Sequence, residues 1–484
     1  MKAEEARAEY IVDATGEHNW PVMTIEEIAD VNPRVDKAAI PDYLPVSFVP
    51  MPAVGAGDGS IRVDETRFAN EVKKGFTAFR EGDVLFAKIT PCMENGKMAV
   101  VPKLVNGYGF GSTEFHVLRP KQDMDAKYIY YYVSSQAFRG EAERYMTGAV
   151  GQKRVSTTYL KQSTIPVAPP DQQKRIVAEI EKQFSRLDEA VANLKRVKAN
   201  LKRYKAAVLK AAVEGRLVET EAELARREDR SYETGAQLLQ RILETRRSQW
   251  QGKGKYKEPA APDTTDLPEL PEGWAVASLE QLTSGNRVIC YGILMPKENA
   301  PNGILYVKVK DLKGDKVNVA SLHRTTPEIA AKYARASLRT GDLLLAIRGT
   351  YGRIAEVPPE LDGGNITQDT ARLVVSPLAD TAYVACFLRS QDAQNYFKRV
   401  ARGVAVKGVN IADVRLCPVP LPSLREQQRI AAEVDRRLSL LRAIEAQVDA
   451  NLQRAERLGQ SVLTQAFIGE VNHLGISGGE NNNG

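Results

Sequence analysis

The run Ile165-Pro166-Val167-Ala168-Pro169-Pro170-Asp171-Gln172-Gln173-Lys174-Arg175-Ile176 returns later as Val419-Pro420-Leu421-Pro422-Ser423-Leu424-Arg425-Glu426-Gln427-Gln428-Arg429-Ile430. Pro166 and Pro420 are 254 residues apart, and so are Arg175-Ile176 and Arg429-Ile430. Outward from this stretch the same shift pairs Trp20-Pro21-Val22 with Trp274-Ala275-Val276, Ala178-Glu179 with Ala432-Glu433, Val208-Leu209 with Val462-Leu463, and Gly215 with Gly469. One register held from Trp20 to Gly215 is an internal duplication, because chance matches of short apolar patterns drift.

Each quoted run opens a long helix. Residues 172–213 contain neither Pro nor Gly. Their apolar positions, Ile176, Ile180, Phe184, Leu187, Val191, Leu194, Val197, Leu201, Tyr204 and Val208, advance in steps of three and four, a heptad-like seam. The second copy has Ile430, Val434, Leu438, Leu441, Val448, Leu452, Ala455 and Val462. A helix of about 42 residues is about 63 Å long. It cannot bury such a stripe alone in water, so the two stripes should pack on each other. The seam leaves open whether they run parallel or antiparallel.

Between the helices the repeat loosens. Gly82-Asp83-Val84-Leu85-Phe86-Ala87 answers Gly341-Asp342-Leu343-Leu344-Leu345-Ala346 at a shift of 259, so insertions fall inside the globules. Short β-type runs at 83–89, 99–102, 305–309, 342–347 and 371–375, with helices expected at 127–135 and 381–388, make both globules α+β. The expected division is an N-terminal segment 1–19, a globule 20–166, a helix 167–218, a linker 219–273 with a short helix near 234–247 and a Pro-rich spacer, a globule 274–420, a helix 421–470 and a disordered tail 471–484.

The 484 residues are 43% hydrophobic and 26% charged, the balance of a globular protein. Four cysteines, none in a CxxC pair, are too few for a disulfide scaffold and offer no zinc or redox motif. The N-terminus is charged, with no signal-peptide core, and no apolar run reaches the roughly 18 residues that span a bilayer. The expectation is a cytoplasmic protein with no membrane partner. The net charge of +6 is compatible with nucleic acid. Its surplus lies on the first helix, where residues 172–216 carry twelve Lys and Arg against five Asp and Glu, and residues 425–470 carry seven of each. Lys195, Arg196, Lys198, Lys202, Arg203 and Lys205 fall close together with no acid among them. Such a stripe suits a phosphate backbone or an acidic protein partner.

Catalytic motifs are missing. There is no GxxxxGK[ST] loop, and Gly55-Ala56-Gly57-Asp58-Gly59 departs from GxGxxG and reads as a flexible loop. The Pro-Pro pairs lack the Asn/Asp-Pro-Pro-aromatic form of amino-methyltransferases. Asp58 with Glu71-Val72-Lys73 mimics a metal-nuclease spacing, but the pattern is short. His18, His116, His323 and His473 are scattered, and no metal or catalytic residue is assigned.

Two variable α+β globules alternating with two helices, each introduced by a Pro-rich strand end and a Gln-Gln pair leading into Arg-Ile, resemble the specificity (S) subunits of type I restriction-modification systems. The Gly-Asp strands and the helix endings Ala-Val-Leu-Lys-Ala-Ala-Val-Glu-Gly and Ser-Val-Leu-Thr-Gln-Ala-Phe-Ile-Gly are similar to theirs, and the resemblance covers about residues 20–470. It implies two target recognition domains, each reading half of a split double-stranded DNA site. It also implies an antiparallel coiled coil that sets the gap and docks two methyltransferase subunits, which recruit two restriction subunits. No cofactor is then expected in this chain; S-adenosylmethionine, ATP and Mg²⁺ belong to those partners, which carry DNA methylation and host defence. The alternatives are a self-sufficient nuclease or methyltransferase, and a coiled-coil scaffold whose globules bind protein.

Base readout needs Arg, Lys, Asn, Gln or acidic groups on loops. The first globule offers Lys88, Thr90, Glu94, Asn95 and Lys97 after the Gly-Asp strand, then Ser112 and Thr113, and a Gly-rich loop with Gln152, Lys153 and Arg154. The second offers Arg348, Thr350, Tyr351 and Arg353, then Gln368, Asp369 and Thr370, then Arg402 and Lys407, with Tyr291 and Lys308 as weaker choices. Lys198, Lys202 and Lys205 on the first helix would touch phosphates.

Overall fold

Pro170–Val213 is one unbroken helix of 44 residues and Leu424–Ile468 another of 45 in the computed structural model, which describes residues 20–468 apart from 150, 253, 266, 298 and 405. The expected segments 1–19 and 471–484 lie outside the described residues. Each helix begins where the chain allows: Pro170 needs no hydrogen-bond partner for its nitrogen, and Asp171 or Glu426 meets the positive end of the helix dipole. The first ends as Gly215 turns left-handed, at φ 67°, and the Arg216 N–H reaches back to the Ala211 carbonyl at 2.9 Å.

The chain divides into two compact units, Met1–Lys195 with Asp449–Gly484, and Arg196–Val448. Each therefore holds the start of one long helix and the end of the other. In the first unit Ile176, Val177 and Ile180 share a core with Leu463 and Ala466. In the second, Val208, Leu209 and Ala212 share one with Ile430, Ala431 and Val434. In each, the beginning of one helix lies against the end of the other, so the helices run antiparallel. The seam is less regular than its spacing suggests. Val197 and Tyr204 are 40% and 48% exposed. Two successive three-residue steps from Val191 leave Val197 about 120° away around the helix, out of the buried stripe.

Both units build the same corner where the globule meets its helix. The Trp20 indole N–H donates to Gln172 Oε1 at 3.1 Å, and the Trp274 N–H to Glu426 Oε1 at 2.9 Å. Gln173 accepts from the Asp125 N–H and donates to the Ala168 carbonyl; Gln427 accepts from the Asp380 N–H and donates to the Pro422 carbonyl. The buried Tyr128 and Tyr383 hydroxyls donate to the carbonyls of Pro166 and Pro420 at 2.7 and 2.8 Å. Strand Val22–Thr24 pairs antiparallel with Thr164–Pro166, and Ala275–Ser278 with Pro418–Leu421. The repeated residues are the staples of this corner, which is why they keep one register while the globules vary.

In the first unit one four-stranded sheet has the order Ala29–Val31, Phe115–Pro120, Val84–Ala87, Met98–Val100, and a second contains Pro45–Val49 beside Tyr108–Gly111. The matching sheet of the second unit has Cys290–Tyr291, Thr370–Leu373, Leu343–Ala346, Ile354–Glu356, beside a three-stranded sheet around Ile304–Val307. Both Gly-Asp turns are built alike. The carboxylate accepts from a backbone N–H three residues back and pairs with an arginine: Asp83 with Arg119, Asp342 with Arg287.

The stretch 219–273 departs from a plain linker. A helix at Glu221–Arg227 joins the expected one, seen at Gly235–Ser248. Its signal was readable, since Thr220 and Glu223 form a capping box. Leu238 and Ile242 are buried with Ala277 and Leu279, so this segment belongs to the second unit's core.

Candidate nucleic-acid interface

In the first unit three loop segments meet at one end of the Gly-Asp sheet. The Lys88 N–H donates to the Glu114 carbonyl at 2.9 Å, and its own carbonyl accepts from the Val155 N–H at 2.9 Å. The Thr90 N–H donates to the Lys153 carbonyl at 3.0 Å, and Ile89 bridges to Arg154. Lys88, Thr90, Ser112, Thr113, Gln152, Lys153 and Arg154 thus share one surface, with Thr113, Gln152 and Lys153 exposed. Two of the expected readers are occupied. Arg154 forks onto Glu114, with Nε and Nη2 each 2.9 Å from a carboxylate oxygen, which holds the Glu114 carboxyl below its ordinary range. Lys97 faces inward, its ammonium donating to the Met51 and Val54 carbonyls at 3.3 and 2.8 Å; it ties loop to loop and is corrected from reader to staple. Glu94 accepts from the Thr90 hydroxyl at 3.0 Å, and Asn95 stands exposed beside it.

The second unit builds the same junction. The Ile347 N–H donates to the Asp369 carbonyl, the Val409 N–H to the Ile347 carbonyl and the Gly349 N–H to the Lys407 carbonyl, at 2.9, 2.7 and 3.1 Å. Gly408 bridges to both Arg348 and Arg402. Two adjoining clefts of about 670 and 710 Å³ open here, with Arg348, Gln368 and Val406 lining both. Tyr291 and Arg402 line the first; Thr350, Arg353 and Asp369 line the second. Arg348 approaches Asp369 at 3.7 Å, and Arg353 donates to the Leu312 carbonyl at 3.2 Å. Lys407 is exposed on the loop that closes the cleft, and Tyr351 packs against the second core.

Two of the named positions stand apart from the clefts, and two lysines not named line one of them. Thr370 is fully buried, because it opens a strand paired on both sides, by Cys290–Tyr291 and Leu343–Ala346. Lys308 turns over the Tyr306 ring at 5.2 Å, outside the residues lining the clefts, and Lys310 and Lys313 line the second cleft instead. The cluster of three lysines within 308–313 was the available signal. On the first long helix Lys198, Lys202 and Lys205 are exposed.

The remaining motifs resolve locally. Asp58 accepts from Ser60, Glu71 caps the Phe68 N–H, and Lys73 pairs with Asp42, so the nuclease-like spacing assembles no shared site. The Gly55–Gly59 loop is held, with the Gly57 N–H donating to the Gly96 carbonyl at 3.1 Å. His116 is buried, and its Nε2 lies 2.9 Å from the Val155 carbonyl. Among the described residues no helix is long and apolar enough to cross a membrane.

A family model described as the type I restriction modification DNA specificity domain matches residues 17–203 and again 271–454. The Escherichia coli type I restriction enzyme EcoEI specificity subunit is 25% identical over 468 residues, covering 86% of this chain and 77% of that protein. The EcoAI specificity subunit of Escherichia coli is 32% identical over 301 residues, covering 53% of this chain and 49% of that one. Among solved structures, a chain from work on complex assembly and conformational transition of the type I R-M system superposes with a TM-score of 0.69 at 17% identity, covering 96% of this chain and 100% of that chain. The HsdS subunit from Thermoanaerobacter tengcongensis superposes at 0.59 and 17% identity, with the same coverage. At that identity the likeness concerns the fold.

Proposed function

The chain belongs to the type I restriction-modification DNA specificity family, and we propose that each of its two units reads one half of a bipartite site on double-stranded DNA. It is a specificity subunit, not a catalytic one. The reading faces are the two equivalent loop junctions. The first is built from Lys88, Thr90, Thr113, Gln152 and Lys153, the second from Arg348, Arg353, Gln368, Arg402 and Lys407. The antiparallel helices set the gap between half-sites and dock two methyltransferase subunits, through which two restriction subunits join. S-adenosylmethionine, ATP and Mg²⁺ act in those partner chains.

The observation that carries this reading is that one loop junction, with cationic side chains, is built twice on the same corner, Trp20 with Gln172 and Trp274 with Glu426. Exchanging residues 20–166 for those of another family member, and selecting the preferred site of the assembled complex from a DNA library, tests it. One half of the site should change and the other persist; a joint change of both halves overturns the two-reader account. Spacing has its own test. One heptad added after Leu194 and one after Val448 keep the seam in register and add about 10 Å, about three base-pair steps. The preferred gap should lengthen accordingly, and an unchanged gap removes the helices as its determinant.

A further inference from the structure

The second unit's clefts carry, beside their cations, an unusual share of exposed apolar side chains. Val406 is 57% exposed and lines both clefts; Leu294, 48% exposed, lines the first, and Met295 next to it is 79% exposed. Exposed Tyr291 lines the first cleft too. Val406 is held there by the backbone. The loop leaves the Arg402–Gly408 bridge through Gly403 at φ 117°, a conformation that side chains rarely adopt, and a Cβ on Gly403 would stand 2.4 Å from the Val406 carbonyl. Gly403 thus passes close to the Val406 carbonyl, and Val406 lines both clefts together with Arg348.

We propose that Val406, with Leu294, is a specificity-determining apolar contact to the 5-methyl group of thymine in the second half-site; this rests on the reading of that face as DNA-binding. Arg348, Arg353 and Arg402 match phosphates and guanine edges, but an apolar group among them has one complementary feature on the major-groove edges of the bases: the thymine methyl. The clefts are open and cationic, so the occupant is polyanionic overall and apolar at one point. Duplex DNA with a T·A pair at that point meets both demands.

The test uses the full chain assembled with its methyltransferase partners, and the site that complex selects from a library. Each thymine of the second half-site is replaced in turn by uracil, which deletes the methyl and leaves every hydrogen-bonding group. At one position at least, the dissociation constant should rise about fourfold, the transfer free energy of one methyl group, about 0.8 kcal/mol, expressed as affinity. Val406→Ala with Leu294→Ala should erase the difference, so that thymine and uracil duplexes bind alike; both side chains are exposed, and thermal unfolding should stay unchanged. A second half-site with no fixed T·A pair, or uracil tolerated everywhere while Arg348→Ala still weakens binding, overturns the methyl contact and leaves the DNA-reading face standing. If Arg348→Ala, Arg402→Ala and every uracil are all silent, the reading of this face falls with it.

Discussion

Ile89 and Arg154 in the first unit form the bridge that Arg348 and Gly408 form in the second, and this exchange separates two faces of one design. In both, the second residue after the Gly-Asp strand faces the returning loop. Where that loop brings an arginine, its side chain folds back onto a carboxylate: Arg154 is forked on Glu114 and its charge is spent inside the unit. Where the loop brings glycine, the strand's own arginine has room. A Cβ at Gly408 would lie 3.1 Å from the Ile347 carbonyl and 3.6 Å from Arg348 Cγ, so a larger residue would crowd it. Arg348 then stands 55% exposed, 3.7 Å from Asp369. The first face is left with Lys88 and Lys153, whereas the second also has Arg353, Arg402, Lys407, Lys310 and Lys313. The fold supplies the rung, and the residue on it decides whether a cation is left at the face or braces the protein.

If so, the two faces are unequal in affinity. Arg348→Ala should cost about 1–3 kcal/mol where the guanidinium pairs with a base, and should relax sequence preference only in the second half-site. Lys88→Ala with Lys153→Ala should weaken binding less and leave preference intact. Titrating the assembled complex against its selected duplex measures both, and equal losses on the two faces would break the comparison. A sharper form transplants the rung itself. Gly408→Arg, the first unit's residue at this bridge, should push Arg348 aside and cost about 1 kcal/mol of DNA affinity, within the range of a single side chain–base pairing. An unaltered affinity would mean that the space at Gly408 is irrelevant to Arg348.

Much of this architecture was legible. The 254-residue register marked the corner, since its residues make hydrogen bonds that tolerate no shift: Gln173 and Gln427 each hold a helix-capping aspartate's N–H and a proline-run carbonyl. The structure brings the three loops of each face together, and strand and turn signals locate them in the sequence. What the sequence could not reveal was which cation is free. Lys97 is claimed by carbonyls at Met51 and Val54, and Arg154 by Glu114, partners about forty residues away that only the folded chain brings near. Thr370 was misplaced because it opens a strand buried along its whole length, whereas Gln368 and Asp369 precede that strand. The seam failed at Val197 because two three-residue steps in a row turn it about 120° out of the buried stripe.

The helix stripe should contribute without sequence information. Lys202→Gln with Lys205→Gln should weaken binding to all duplexes alike. The dependence of log affinity on log salt should flatten by about one unit for each phosphate that a lysine no longer neutralises. Retained DNA binding together with failed methyltransferase assembly would assign the stripe to the protein partner.

The smallest effect should come from releasing Arg154, and its sign is the informative part. The Arg154 hydrogen bonds hold the Glu114 carboxyl below its ordinary value of 4.5. A carboxylate lowered in this way stabilises the fold above its unfolded value and loses that contribution only as pH falls through the lower folded value. Between about pH 6 and 8 the pair is therefore intact and pH cannot release it. Glu114→Gln can, since a neutral amide holds the guanidinium far less strongly. The pair is partly exposed, with 42% and 26% of the side chains accessible, so stability should fall only slightly. The freed Arg154 then gives the first face the kind of cation that Arg348 gives the second. Affinity for all duplexes should rise a few-fold at low salt, and the salt slope should steepen by about 0.9. Were Glu114 itself the reader, accepting from a cytosine amino group, the same substitution would lower affinity and do so only for sites with a C·G pair in the first half. Salt titrations of the parent and substituted complexes on two duplexes differing at that pair distinguish a braced cation from an acidic reader.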